Sequence, residues 1–475
     1  MSRTSLAVAA AVLATALLAG CGSVIEGRPV SIYDNPFTVA GLPATDGPSG
    51  PRPDAPASTL SVRGAAGSPA DVLATEAVDD ITDFWHAEYP RVFAGAFRPV
   101  TDLVSWDPET SPAQSGTFCG DSTHGFVNAG YCTRDGSIGW DRTVLLPTLM
   151  DTFGPMAVVM VMAHEYGHAV QHDSGLAGDD DPTLVLEQQA DCFAGAFMRH
   201  VAEGESAHFT LNTSDGLNSV MAAMVAVRDT DPNDPESVHG TAFERVTAFQ
   251  IGFTEGASAC TAIDEVEVES RRAQLPQQFA TSDDGEMPVT EATVAVTVDS
   301  LQSLFALPEE PRVVFSGADT GCSDAVPTEP VSYCPATNTI GVSMPELVER
   351  GTPHDGVAAN DLPTDVRGDF AAYVLVASRF TLAAQQAAGD GLTDPKTALR
   401  AACLSGAWTA AIAVGHAGTV TLSPGDLDEA VSGLLSDGLM ASDVNGRTVP
   451  SGFARVDAFR SGVLGGEDAC ANRYG

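Results

Sequence analysis

The stretch that decides the fold is Met160-Val-Met-Ala-His-Glu-Tyr-Gly-His-Ala-Val-Gln171, which contains His164-Glu165-x-x-His168. On an α-helix, residues four apart share a face. His164 and His168 therefore point two imidazoles at one tetrahedral zinc, with Glu165 beside the metal-bound water. The flanks read as helix boundaries: Asp151 or Thr152 as the cap, Pro155 in the first turn and Gly175 past the end. Residues 156–162 are apolar on every side, which predicts a buried helix.

A motif this short also arises by chance, so the downstream residues carry weight. Asp181-Pro182 reads as a helix start, with Asp181 as N-cap and Pro at the first position. The run Leu184-Val-Leu-Glu-Gln-Gln-Ala-Asp-Cys-Phe-Ala-Gly-Ala-Phe197 follows, with Glu187 and Asp191 again four apart. A solvated helix charge is the plain reading of Glu187 alone. Combined with the two histidines, Glu187 completes a His₂Glu site with an open fourth position, and Asp191 accepts the other N–H of a ligand histidine. Which of the two carboxylates is the third ligand stays open at this level. One Zn²⁺ per chain is expected.

HEYGHAVQ followed by EQQADCFAG resembles the bacterial neutral zinc metallopeptidases, whose helices typically read HExGHHVQ and ELQADCFAG. The resemblance extends over residues 100–260 and takes in Tyr131-Cys132, Ile138-Gly-Trp-Asp141, His239-Gly-Thr241 and Arg245. It implies an α+β, gluzincin-type zincin domain that hydrolyses peptide bonds, with Glu187 as third ligand, Asp191 behind a histidine and Glu165 as general base. Ala169 stands where a second His is common and Gln188 where Leu is common; neither is a proposed ligand. His172 invites a metzincin reading, but that pattern needs Gly where Gln171 stands.

The nine cysteines organise the rest of the chain. Leu6 to Leu18 is apolar and Ala19-Gly20-Cys21 follows, which resembles a bacterial lipoprotein signal: residues 1–20 cleaved, lipid on Cys21. The apolar run is shorter than the roughly 20 residues a membrane-spanning helix needs. The other eight, at 119, 132, 192, 260, 322, 334, 403 and 470, fall into two sets of four with nearly the same spacing. Their surroundings repeat. Tyr131-Cys132 and Ile138-Gly139 recur as Tyr333-Cys334 and Ile340-Gly341, and residues 163–171 as 377–385. Cys192-Phe-Ala-Gly-Ala196 recurs as Cys403-Leu-Ser-Gly-Ala407, and residues 243–249 as 453–459. Pro90-Arg-Val-Phe93 has a weaker echo in Pro311-Arg-Val-Val-Phe315. The chain reads as two tandem copies of one domain, 71–284 and 285–475. Disulfides are expected at Cys119–Cys132, Cys192–Cys260, Cys322–Cys334 and Cys403–Cys470, as suits an exported protein.

The second copy is degenerate. Ser378, Arg379 and Leu382 stand opposite His164, Glu165 and His168, and Ala398 and Ala402 opposite Glu187 and Asp191. It keeps the framework and loses the zinc ligands, the pattern of a pseudo-peptidase. An unpaired Arg379 is costly to bury, so it is expected to be exposed or to meet a carboxylate such as Asp369. His239 falls opposite Val449. A histidine lost together with the ligands is a candidate transition-state donor, against the plain reading of a surface histidine after an acidic loop. Tyr166 falls opposite Phe380, which keeps the ring, so Tyr166 reads as a core aromatic.

Residues 21–70 are rich in Pro, Gly, Ser and Ala and read as a flexible tether. A net charge of −40 argues against nucleic acid and against charge-driven binding to an anionic membrane. The resulting expectation is a peptidase lipid-anchored at the outer, extracytoplasmic face of the cell membrane, acting on peptides or proteins of the cell envelope. Two alternatives stand beside it: a binding or scaffolding lipoprotein with a structural zinc, and a zinc amidase acting on cell-wall peptides.

Overall fold

The computed structural model describes residues 38–178, 181–229, 238–272, 275–277, 286–353, 362, 364–417 and 420–475. The leader 1–20, the lipidation candidate Cys21 and most of the junction near 284 lie outside the described residues. The first half opens with short strands β1 (Thr38–Val39), β2 (Leu42–Pro43), β3 (Gly50–Pro51) and β4 (Val62–Arg63), then helix α1 (Pro69–Val92). Strands β5 (Leu103–Trp106), β6 (Thr117–Phe118), β7 (Asp121–Ser122), β8 (Ala129–Tyr131) and β9 (Ile138–Asp141) follow. Next come α2 (Leu145–Phe153), α3 (Pro155–Ser174), α4 (Thr183–Ala202), β10 (Phe209–Thr210), α5 (Asp215–Ala226), α6 (Ala242–Glu255), α7 (Ala257–Cys260) and α8 (Glu265–Arg272). The second half holds α9 (Glu291–Phe305), β11 (Arg312–Val314), β12 (Val331–Cys334), β13 (Thr339–Val342), α10 (Met344–Arg350), α11 (Asp369–Ala387), α12 (Pro395–Ala413), α13 (Asp426–Leu435) and α14 (Gly452–Tyr474).

This is a mixed α+β architecture of small sheets beside packed helices. One sheet runs β4-β5-β9-β8, with β5 parallel and β8 antiparallel to β9. A three-stranded sheet runs β11-β13-β12, with β11 parallel and β12 antiparallel to β13. The echo of Pro90–Phe93 in Pro311–Phe315 is thereby corrected. The first segment ends helix α1 and the second forms strand β11, whose partner relation matches that of β5. Four shared letters cannot distinguish a helix end from a strand.

Buried glycines set the helix crossings. A Cβ on Gly195 of α4 would lie 2.1 Å from Phe249 O of α6, and one on Gly252 would lie 1.7 Å from Cys192 O. Only glycine lets two backbones approach so closely. In α12 and α14 the same figures are 2.1 Å from Gly406 to Phe459 O and 1.8 Å from Gly462 to Cys403 O. Cys192–Cys260 ties α4 to α7 beside the first crossing, Cys403–Cys470 ties α12 to α14 at the second, and Cys119–Cys132 and Cys322–Cys334 close loops next to the sheets.

The halves share one hydrophobic core, in which Phe253 and Phe453 meet with ring centroids 5.0 Å apart. Polar bonds cross the same boundary: Phe243 N to Asp428 Oδ1 at 3.0 Å, Gln250 Nε2 to Phe453 O at 2.9 Å, and Arg228 with Asp428 at 3.1 Å.

The flexible-tether reading of 21–70 is corrected from residue 38 onward. Asn212 Nδ2 donates to Gly47 O at 2.6 Å, Arg52 Nε to Phe209 O at 2.8 Å, and β3 pairs with β10. A proline-rich chain builds no core of its own, yet its extended carbonyls still accept bonds from a neighbouring loop, and composition does not register that. The caps differ too. Asp151 and Thr152 belong to α2, and Gly154 (φ 84°) separates it from α3, which starts on Pro155 and ends at the left-handed Gly175 (φ 72°). Asp181 does not cap α4; it accepts from Gly178 N at 2.6 Å, and the helix begins after Pro182.

Candidate metal centre

Helices α3 and α4 cross where Gly167 lies against Ala190; a Cβ on Gly167 would stand 2.9 Å from Ala190 Cα. That close approach brings the His164–His168 face of α3 onto Glu187 of α4. His164 Nε2 lies 3.1 Å from Glu187 Oε2, and His168 Nε2 lies 3.5 Å from Glu187 Oε1. One ligand atom from each residue falls within 4.8 Å of the other two. Glu187 Oε2 is buried without a hydrogen bond. Two imidazole nitrogens and an orphaned carboxylate oxygen are the donor set of a Zn²⁺ ion, and these three residues would hold it.

Each histidine is fixed from behind. His164 Nδ1 meets Asp191 Oδ1 at 2.8 Å, and Asp191 is gripped in turn by Arg245 at 2.9 and 2.8 Å. His168 Nδ1 meets Gln171 Oε1 at 2.9 Å, while Gln171 Nε2 donates to Leu186 O and Gln189 Oε1. Such outer bonds fix the tautomer that turns Nε2 toward the metal. Asp191 thus stands behind a histidine and Glu187 on the ligand side.

The electrostatics favour a cation. Burial works against charge on His164, but Asp191 and then Glu187 outweigh it and pull its pKa up to about 10. Burial also opposes the Glu187 carboxylate, and the two histidines still hold it far below the usual carboxylate range. Asp191 is held low against its burial by Arg245 and His164.

Glu165 faces the same cleft, and its Oε2 accepts Tyr131 N from strand β8 at 2.9 Å. His239 Nε2 lies 4.0 Å from Glu187 Oε2, and its Nδ1 lies 3.3 Å from Asp229 Oδ1. Asp229 also accepts Gly240 N at 2.7 Å, which fixes the turn that carries His239. Tyr166 points away from the centre into the core, where its hydroxyl lies 3.0 Å from Thr82 Oγ1 and accepts Val100 N at 3.3 Å. His164, Glu165, His239, Arg245 and Asn128 line one side of a cavity of about 150 Å³, and Ala129, Leu145, Leu149, Met160, Val161 and Val227 the rest.

Sequence reading passed over the parts played by Gln171 and Asp229. Gln171 had a signal, since it sits three residues past His168 on the same helix face. Asp229 had none, because only the tertiary fold brings it to His239.

A buried two-helix His₂-carboxylate centre, with a glutamate and a sheet edge beside it, defines a zincin-like site. Residues 52–263 match the family described as "Putative neutral zinc metallopeptidase", and over that region the chain is similar to it. Uncharacterized proteins of Mycobacterium bovis and of two Mycobacterium tuberculosis strains are each 30% identical over 194 residues, covering 36% of this chain and 64% of theirs. The chain thus spans less than two thirds of the length of these curated relatives. No solved structure matches it.

Proposed function

We propose that the chain is a zinc-dependent endopeptidase whose first half does the chemistry and whose second half, residues 285–475, is a degenerate copy that supports it. The observation that carries the first part is the convergence of His164, His168 and Glu187, with Glu165 on the same cleft wall. Bound zinc supplies a Lewis acid and a water with pKa near 7. Glu165 takes a proton from the attacking water and delivers it to the leaving amine. The edge of β8 binds the substrate backbone as an added strand. His239, held by Asp229 with its Nε2 on the Glu187 side, stabilises the developing oxyanion. The cavity at Glu165, apolar on the side of Leu145, Leu149 and Val161, has room for one small side chain of the substrate.

For the second half, the support is the paired glycine crossings, the paired disulfides and the shared strand relations. Its role is to complete the shared core and hold α6 through Asp428. Lipid on Cys21 places the enzyme at the outer face of the membrane, with envelope peptides or proteins as substrates; among the described residues no helix is long and apolar enough to cross a membrane.

Zinc content and cleavage of a denatured protein, measured on wild type and Glu165→Gln, test the reading. The expected result is one zinc in both proteins and cleavage by wild type alone. A wild type that holds zinc and cleaves nothing would favour a structural centre. One that cleaves only cell-wall peptides would favour an amidase.

A further inference from the structure

A second cluster of possible metal ligands lies in the second half, far in sequence from His164. One carboxylate oxygen each from Glu286, Asp369 and Glu429 falls within 4.8 Å of the other two. The three come from separate elements: the segment before α9, the first turn of α11, and α13. Acidic clusters are common, but this one includes a buried carboxylate oxygen with no hydrogen-bond partner. Asp369 is 5% exposed, and its Oδ1 is buried with no hydrogen-bond partner. Leaving such a group unmatched is costly, so a native site normally fills it.

The surroundings are shaped to hold these carboxylates in place. Glu429, 6% exposed, accepts Phe370 N at 2.8 Å and Ala371 N at 3.3 Å through Oε2. Glu286 Oε2 accepts Asp369 N at 3.3 Å. Residue 368 is glycine, and a Cβ there would lie 1.8 Å from Glu429 Oε1. Among the described residues, neither Asp369 nor Glu429 forms an ion pair with a basic side chain. Burial, then Glu286, pushes Asp369 up to about 7; burial, then Asp426 and Asp369, pushes Glu429 well above the usual carboxylate range. The cluster requires positive charge, supplied either by protons or by a cation.

We infer that Glu286, Asp369 and Glu429 bind one Ca²⁺. The donors are all hard oxygens, with no nitrogen or sulfur among them, which selects calcium over zinc. Three carboxylates on three elements leave the remaining positions to water and backbone carbonyls. The site clamps α13 to α11. The residue after the interfacial Asp428 is Glu429, and Asp428 holds Arg228 and Phe243 N close in sequence to the paired Asp229 and His239. Calcium at this site steadies the face of the second half on which the zinc half rests.

The test is calorimetric titration of CaCl₂ into the full-length, zinc-loaded protein at neutral pH, alongside thermal melting. The expected result is one Ca²⁺ per chain and a higher Tm with calcium. Asp369→Asn and Glu429→Gln should each weaken binding by about tenfold or more through loss of ligand charge, with zinc content unchanged. If either buried variant fails to fold, the exposed Glu286→Gln carries the same test. A folded wild type with no calcium-dependent heat or Tm shift at millimolar calcium overturns the inference, as does full calcium affinity in the folded variants. A Tm that responds to pH between 6 and 8 but never to calcium would show that the cluster shares protons, and it overturns the inference too.

Discussion

Helices α3 and α11, which the proposed repeat sets opposite one another, carry different side chains. Both are buried, 20 and 19 residues long, and each lies against a helix that a disulfide ties to another. On α3 one face carries His164, Glu165 and His168; on α11 the opposite residues are Ser378, Arg379 and Leu382. Arg379 is not exposed, and it is not paired with Asp369, as the cost of burying a lone cation suggested; it is 1% exposed. Its guanidinium donates to Val331 O at 3.2 Å, Leu439 O at 3.0 Å and Ser442 Oγ at 2.9 and 3.0 Å. Burial lowers its pKa only to about 10, so it stays charged at neutral pH. A fan of carbonyl dipoles does the work expected of a carboxylate. Both halves keep close glycine crossings, and on the proposed repeat the chemistry is a thin layer of side chains upon them.

The comparison breaks most sharply at the ligands themselves. His164→Ala should remove zinc and with it all measurable hydrolysis, because a His₂Glu site deprived of one ligand is left with two. Ser378→Ala, at the opposite position, should leave both unchanged. Elemental analysis and a peptide-cleavage assay on the two proteins decide it. Zinc that survives His164→Ala, or activity that falls with Ser378→Ala, would mean the halves are misassigned.

Much of this was legible from residue spacing. The i, i+4 pairs on α3 and α4 put the ligands on facing surfaces, and cysteine spacing pointed to the pairs that the structure joins. What stayed hidden depends on contacts between distant segments. The grip of Asp229 on His239, the docking of residues 38–63 and the carbonyl nest around Arg379 all need tertiary structure. No local period encodes a bond between Asn212 and Gly47. The helix starts were misread for a related reason. A glycine with positive φ between α2 and α3 ends one helix and begins the next without any side-chain cap.

Arg379→Met sharpens the comparison at the next level. Methionine matches much of the volume but removes the guanidinium bonds, leaving Val331 O with Thr328 Oγ1, and Leu439 O with the Ser442 hydroxyl, as their remaining partners. Each lost bond costs about 1 kcal/mol, partly offset by relief from burying a charge, so a net loss of about 2 kcal/mol is expected. Denaturant unfolding of the full chain measures it. An equally stable or more stable variant would show that Arg379 is a relic of sequence drift and no part of the support the second half gives.

The smallest expected effect lies where the halves meet. Asp428 is buried against Phe243 N and Arg228. Burial outweighs the attraction of Arg228 and pushes its pKa from 3.8 up to about 6. A carboxyl raised on folding favours the neutral form in the folded state. Its contribution to stability is therefore complete below about pH 4 and is lost as pH rises through about 6. Asp428→Asn is neutral throughout and keeps an oxygen for Phe243 N. It should flatten the fall in stability between pH 4 and 6 and, because the lost Arg228 pair trades against the relieved burial, shift stability at pH 7 by only about 1 kcal/mol. Unfolding curves across that range, run beside wild type, read the slope directly. If the slope is unchanged, proton uptake at the interface does not involve Asp428. If stability at pH 7 instead drops by several kcal/mol, the ion pair with Arg228 outweighs burial, and the two halves are held together by charge more than by their shared core.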